Sequence, residues 1–138
     1  MHRRLLFAGL LLLFVSGAAA CGSSTTSPTT GATTITTYAS RIQEKGSAWR
    51  SFTVTTAGTV DLQLTAVSQA DAVMGLGLGT VSGTTCVISQ SVQTAANSTA
   101  SAPQISTTLA AGTYCVKLYD IGNLTSITDF VITITMPY

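Results

Sequence analysis

Charged side chains are scarce in this chain. Only 8% of its 138 residues are Asp, Glu, Lys or Arg, against roughly 25% in an ordinary soluble domain. From Cys21 onward the sequence has four basic and five acidic residues, which leaves a net charge of −1. Because neither a basic patch nor a polybasic run is present, the sequence argues against nucleic acid and against anionic lipid as partners.

Histidine is almost absent as well. The only one is His2, which lies in a segment that we expect to be removed. Without histidine, the remaining chain cannot form a Ser-His-Asp or Cys-His catalytic group or complete a typical metal site. The carboxylates of Asp120 and Asp129, or of Asp61 and Asp71, could act as glycosidase pairs, but solvated loop and strand positions explain them better. We therefore predict no catalytic residues, no cofactor and no metal site.

Long apolar stretches are limited to one segment. Residues 5–15, LLFAGLLLLFV, form an eleven-residue run, which is too short for a transmembrane helix of about 20 residues. Arg3 and Arg4 precede the run, and small residues follow it. This order of charge, apolar core and small residues is that of a secretory signal peptide, so we predict that residues 1–20 direct export and are removed.

Residues 18–21, Ala-Ala-Ala-Cys, resemble the lipobox of bacterial lipoproteins, in which small residues precede a cysteine. The resemblance implies that Cys21 is lipidated and holds the protein on a membrane through its N-terminal lipid, since two or more acyl chains bind firmly. Gly22, rather than Asp, after this cysteine implies the outer membrane, on its periplasmic or surface face. Ala18 stands where the family usually has Leu, so simple cleavage after Ala20 remains an alternative.

A low-complexity segment follows the cysteine. Residues 21–33 are rich in Ser and Thr and cannot bury enough apolar surface to offset the entropy of ordering, so we expect a flexible tether. About ten residues of this composition span roughly 17–20 Å. Lipid, tether and folded domain form the usual layout of lipoproteins, and we assign residues 34–138 to one β-domain.

Threonine and serine take the place of the missing charges, with 25 Thr and 15 Ser. Thr is β-branched and suits a half-exposed strand face. Apolar and polar residues alternate over short runs that are separated by Gly-containing turns. The pattern predicts an antiparallel β-sandwich, jelly-roll-like or immunoglobulin-like, of about eight strands. These strands are expected near residues 34–42, 48–56, 59–67, 73–80, 84–89, 103–109, 113–119 and 127–136.

Two cysteines, Cys86 and Cys115, lie in the predicted domain. In an exported domain they most simply form a disulfide, which would close a loop of about thirty residues and contribute roughly 3–4 kcal/mol; two buried free thiols are the alternative. Val116 and Leu118 should face the core, which puts Cys115 on the outer face with Lys117. One β-bulge would reverse that assignment and make the bond cross between the sheets.

Residues 109–119, LAAGTYCVKLY, resemble a corner of the bacterial pre-peptidase C-terminal domain, a secreted jelly-roll-like β-sandwich. The other matching segments are 51–54 with Gly58, 60–64, 76–79 and the closing strand at 130–135. The resemblance implies a secreted domain of the kind that accompanies hydrolases. The Asp-rich strand that sometimes holds calcium in that family is not matched, so no calcium site is implied. The chain is also similar to uncharacterised exported bacterial proteins with the same Gly-Leu-Gly-Leu-Gly and Tyr-Cys-Val elements.

Glycines alternate with leucines in residues 75–79, Gly-Leu-Gly-Leu-Gly. The Lys and the helix of a phosphate-binding loop are missing, so we predict a strand whose leucines face the core. Its glycine side leaves room for a close backbone or an overlying ring, such as Trp49 or Tyr119. The same two aromatic residues are candidate ligand contacts, because exposed rings on a β-sandwich can stack on sugars. Half-buried packing residues are the alternative.

Together these features predict an exported, lipid-anchored cell-envelope protein. Its β-sandwich would have a non-catalytic role, either structural or adhesive towards an envelope protein or a glycan. The alternative is a small secreted module that binds carbohydrate or protein and has no lipid.

Overall fold

The computed structural model describes residues 31–69, 71–97 and 102–138. The predicted signal peptide, Cys21 and most of the predicted tether lie outside the described residues. The strands are β1 (Thr33–Ile42), β2 (Ser47–Val54), β3 (Gly58–Val67), β4 (Met74–Ser82), β5 (Thr85–Thr94), β6 (Ile105–Leu109), β7 (Gly112–Asp120) and β8 (Thr128–Pro137). No helix occurs among the described residues.

The eight strands form two four-stranded sheets. The first has the order β1-β8-β3-β6, and the second has the order β2-β7-β4-β5. Every neighbouring pair is antiparallel. The predicted antiparallel β-sandwich of about eight strands is therefore confirmed. Its strands fall close to the predicted positions, except that β5 continues to Thr94, five residues beyond its predicted end.

The core lies between the sheets and takes alternate residues from both of them. On β4 the side chains of Met74, Leu76 and Leu78 are buried, as the Gly-Leu-Gly-Leu-Gly pattern predicts. On β7 the buried residues Val116 and Leu118 point the same way. Side chains two apart along a strand share a face, so the polar and small residues between them are left for the outer surfaces.

One face assignment is wrong. Period-two alternation along β3 places Ala66 inward after Val60, Leu62 and Leu64, but Ala66 is exposed. The register with β8 shifts between Leu64 and Ala66, because a β-bulge adds one residue and reverses the alternation beyond it. Val67 packs against the core instead.

The sandwich has two different ends. The tether end, where the chain enters from the predicted tether, consists of residues 31–33, 55–57, 82–85, 110–111 and 137–138. The loop end consists of the described parts of the connections at 43–46, 68–73, 95–104 and 121–127. Hydrogen bonds join the connections of the loop end: Gln69 Nε2 donates to the Asn123 carbonyl oxygen at 3.0 Å, and Asn123 Nδ2 donates to that of Val73 at 3.0 Å.

Candidate functional site

The two cysteines of the domain are bonded to each other. Cys86 of β5 and Cys115 of β7 form a disulfide with 5.8 Å between their Cα atoms. β4 lies between those two strands in the sheet, and its Gly79 is the register partner of Cys115. Neither cysteine belongs to the core cluster. The predicted pairing is confirmed, and the bond lies on the outer face of the β2-β7-β4-β5 sheet.

The outer side of β4 is a strip of three glycines, and each glycine is covered by a different group. The ring of Tyr119 lies over Gly75, and the side chain of Ile88 lies over Gly77. The Val87 backbone lies over Gly79, where a Cβ would lie 2.6 Å from the Val87 carbonyl carbon. Both coverings predicted from the sequence, a ring and a close backbone, are present along this strip.

The candidate aromatic residues share this outer face. Trp49 of β2 is the register partner of Lys117 of β7, and Tyr119 lies two residues further along β7. Both aromatic residues are half-buried. Residues on one face that are offset diagonally by two positions are still within reach of long side chains. The structure therefore places Trp49, Lys117 and Tyr119 on one patch, which we call the aromatic patch.

The aromatic patch offers apolar ring surface beside an ammonium group. Aromatic rings supply flat apolar area, and a lysine supplies three hydrogen-bond donors. The Tyr119 ring is packed against Gly75, so part of its area is used within the domain. The Trp49 backbone is held at the sheet edge, because the Tyr38 hydroxyl donates to the Trp49 carbonyl oxygen at 3.2 Å. This chemistry suits stacking on a sugar ring or on a protein surface.

Asp120 is the most strongly perturbed acid of the domain. Its Oδ2 accepts a hydrogen bond from the Lys45 backbone N–H at 2.7 Å, and its Oδ1 accepts from the N–H groups of Gly122, Asn123 and Leu124 at 2.8, 2.9 and 3.2 Å. The hydrogen bond from Lys45 is the largest cause, and together the four hydrogen bonds outweigh the opposing effect of desolvation and lower the pKa of Asp120 to about 2. Asp120 thus joins the β1–β2 turn to the connection that follows β7.

The other carboxylates considered from the sequence lie on separate elements. Asp129 of β8 forms an exposed ion pair with Arg41 of β1, with 3.3 Å between Nε and Oδ1. Asp61 of β3 accepts a hydrogen bond from the Ser106 hydroxyl at 2.6 Å. Asp71 lies in the connection between β3 and β4 with a φ of 61°. Within the described ranges, no group of three or more His, Cys, Asp or Glu residues could hold a metal ion.

A cleft of about 480 Å³ opens between the sheets beside β1 and β2. Phe52, Ile134 and Met136 provide its apolar surface, while Arg50 and the exposed Tyr138 also line it. The remaining lining is mostly threonine: Thr34, Thr36, Thr53 and Thr55. A second hollow of about 480 Å³ shares Pro137 and Tyr138 with it and reaches the start of β1.

Sequence reasoning missed this cleft, although one signal was present. The alternation of β1 places Thr34 and Thr36 on the inward side, in line with the buried Tyr38. Short hydroxyl side chains at two successive inward positions leave space that larger apolar residues would fill. The lining comes from β1, β2 and β8 together, so the cleft could not be found without the strand order.

The chain was compared with known proteins. No protein-family model matches it, and no curated protein matches it. The resemblances to bacterial lipoproteins and to the pre-peptidase C-terminal domain therefore stay predictions. In the part of the chain that the structure describes, no helix has the length and apolar character needed to cross a membrane.

Proposed function

We propose that this chain is an exported, lipid-anchored protein of the bacterial cell envelope, with a β-sandwich that has a structural or adhesive role. One observation supports export most directly, namely the disulfide between Cys86 and Cys115. Disulfides form and persist in oxidising compartments outside the cytoplasm. The bond occurs in a chain that begins with the charge, apolar run and small residues of a signal peptide.

The pairing of two of the three cysteines also favours a lipid anchor on the third. The sequence has three cysteines, and two of them pair with each other within the domain. Cys21 is the third, and it follows the small residues at 18–20 as the modified cysteine of a lipobox does. A diacylglycerol thioether together with an acylated amine supplies the two or more chains needed for firm attachment. The outer membrane is the proposed location, on its periplasmic or surface face.

The hydrogen bonds of the acids support a non-catalytic role. A general acid or base needs a proton-exchanging group with a pKa near the working pH, whereas the pKa of Asp120 is lowered to about 2. Its two oxygens already accept four backbone hydrogen bonds. Asp129 is paired with Arg41, and Asp61 accepts from Ser106.

Replacement of the lipobox cysteine tests the anchor. Cys21→Ser should move the protein from the membrane fraction to the soluble fraction of the envelope, because the acceptor of the lipid is removed. Mass spectrometry of the mature N-terminus should show acyl mass on Cys21 in the unaltered protein. Ser27→Ala, in the same polar segment, is the matched control and should stay in the membrane fraction. An unaltered distribution of Cys21→Ser would refute the anchor.

A secreted module without lipid that binds carbohydrate or protein is the second candidate, and the aromatic patch favours it. Trp49 and Tyr119 lie on one outer face with Lys117, which is the register partner of Trp49 and lies two residues before Tyr119 on β7. Such a module would show binding on a glycan array that Trp49→Ala abolishes. Tyr138→Ala, which removes an exposed aromatic residue outside the patch, should leave that binding unchanged. A mature N-terminus without acyl mass, together with this binding, would favour the secreted module over the anchored protein.

A further inference from the structure

Most charged side chains of the described residues lie at or beside the loop end. The described residues contain nine charged side chains, and six of them lie at or beside the loop end: Arg41, Glu44, Lys45, Asp71, Asp120 and Asp129. The segments that form the tether end and the strand parts next to it contain no Lys, Arg, His, Asp or Glu. These segments are residues 31–37, 51–60, 79–89, 106–115 and 132–138. The tether end therefore presents no charged side chain, and its residues are mainly Thr, Ser, Ala and Gly.

Exposed large apolar side chains lie mostly in the segments without charged side chains. Five large hydrophobic residues of the described chain are exposed, and four of them belong to the uncharged segments. They are Ile35 at 66%, Val81 at 36%, Val87 at 53% and Tyr138 at 80% exposure. Val81 and Val87 flank the β4–β5 turn, and Ile127 is the exception near the loop end.

The same end receives the chain that leads to Cys21. The Tyr138 backbone N–H donates to the Ala32 carbonyl oxygen at 2.9 Å, which fixes the start of the domain beside its last residues. Ten residues, 22–31, separate Cys21 from the body of the sandwich. A chain of that length spans at most about 35 Å even when fully extended. A lipid on Cys21 would therefore hold the tether end within about 35 Å of the bilayer surface, closer on average than the loop end.

We propose that the tether end docks on the lipid headgroup layer, so that the sandwich stands on the membrane with its loop end outward. The proposal rests on the lipid anchor of the proposed function and adds the orientation of the domain and the surface that it contacts. Moving a charge towards the hydrocarbon region is unfavourable, whereas Thr and Ser hydroxyls can exchange their hydrogen bonds with water for hydrogen bonds with lipid headgroups. Tyr138 has the amphipathic ring that favours the interface, and Val81 and Val87 add apolar area.

Because the tether end has no basic residues, its proposed contact with the membrane is apolar and not electrostatic. Peripheral proteins that bind anionic lipids use clusters of Lys and Arg, and their binding weakens as salt rises. The tether end has neither residue type. Its contact with zwitterionic lipid should therefore depend on apolar burial alone and should be insensitive to ionic strength.

Tryptophan quenching measures this orientation. The full lipidated protein would be reconstituted in phosphatidylcholine vesicles with brominated acyl chains, which quench indoles near the bilayer. Trp49 is the only tryptophan and lies in the half of β2 nearer the loop end, so it serves as the internal reference. Combining Trp49→Phe with Tyr138→Trp moves the only indole to the tether end. We expect severalfold stronger quenching in this variant than in the unaltered protein, at low and high salt alike.

Two charge substitutions provide a matched pair. Val87→Asp places a carboxylate at the tether end, and Ile127→Asp places one at an equally exposed apolar position near the loop end. Both are made in the variant that carries Trp49→Phe and Tyr138→Trp. Val87→Asp should lower the ratio of docked to undocked domains by at least about fivefold, since it removes half-exposed valine surface and adds a charge. Ile127→Asp should leave the quenching unchanged.

Vesicle flotation shows whether a negative result refutes the lipid anchor or only the docking of the domain. Protein that does not float with vesicles refutes the lipid anchor and the docking that depends on it. Protein that floats while both indoles are quenched equally keeps the anchor and overturns the docking. A salt-sensitive signal, or a dimer in sedimentation that Val87→Asp dissociates, would likewise overturn it, because the tether end would then have another partner.

Discussion

The glycine strip of β4 allows one stability prediction to be worked through in detail. A methyl group at Gly79 would overlap the Val87 carbonyl oxygen and lie 2.6 Å from its carbonyl carbon and 2.8 Å from the Ile88 Cα. Ordinary contact begins near 3.4 Å, so the β5 backbone would have to retreat by about 1.5 Å to clear the carbonyl oxygen. Cys86, the residue before Val87, is bonded to Cys115 and resists that movement.

We therefore expect Gly79→Ala to lower the free energy of unfolding by about 3 kcal/mol, at the upper end of the usual range for overpacking. Gly77→Ala meets the Ile88 side chain but not the backbone, with Cδ1 at 2.8 Å, Cγ1 at 3.1 Å and Cγ2 at 3.2 Å. A side chain can shift more easily than a backbone, and removing a glycine from a strand also gains about 0.5–1 kcal/mol, so Gly77→Ala should cost clearly less than Gly79→Ala. Gly75→Ala should fall between the two, because the half-buried Tyr119 ring must swing away.

Urea unfolding followed by Trp49 fluorescence would measure all three variants. Repeating the series in reductant tests the mechanism, because opening the disulfide frees the β5 backbone. The penalty of Gly79→Ala should then shrink by about 1–2 kcal/mol, a coupling of the size found between groups in contact. Equal costs for Gly79→Ala and Gly77→Ala, or a penalty unaffected by reduction, would refute the reasoning.

Acid should weaken the folded domain through Asp120. Its pKa is lowered from 3.8 to about 2, so its contribution to stability is present above about pH 4 and is lost as the pH falls towards 2. Urea unfolding of Asp120→Asn should show a flatter pH dependence in that range, and an unchanged slope would contradict this. Ile132→Ala should lower the free energy of unfolding by about 2–5 kcal/mol because the side chain is fully buried, whereas Ile35→Ala at an exposed site should change it by less than about 0.5 kcal/mol. Arg41→Ala should change it by less than about 1 kcal/mol, because both side chains of its ion pair with Asp129 are mostly exposed; a larger loss would show that the pair is shielded from solvent.

Local alternation was a good guide wherever the strands are regular. The buried face of β4 and the outward position of Cys115 both follow from a period of two. The same rule failed at Ala66, because a bulge in β3 adds a residue that no local pattern announces. The aromatic patch was predictable only in part. The sequence identifies Trp49 and Tyr119, but their common face depends on the pairing of β2 with β7.

The sequence by itself determined the class of fold, the cysteine pair and the small number of ionisable groups, because these follow from composition and from short-range periodicity. Only the tertiary structure decided which strands are neighbours. That order puts the Val87 backbone over Gly79 and makes the disulfide cross β4. It also opens the cleft beside Thr34 and Thr36 and collects five uncharged segments at one end. The contact of Val87 with Gly79 lies within the β4–β5 hairpin, whereas the other features join residues far apart in the chain, and their proximity depends on long-range strand pairing that no local pattern contains.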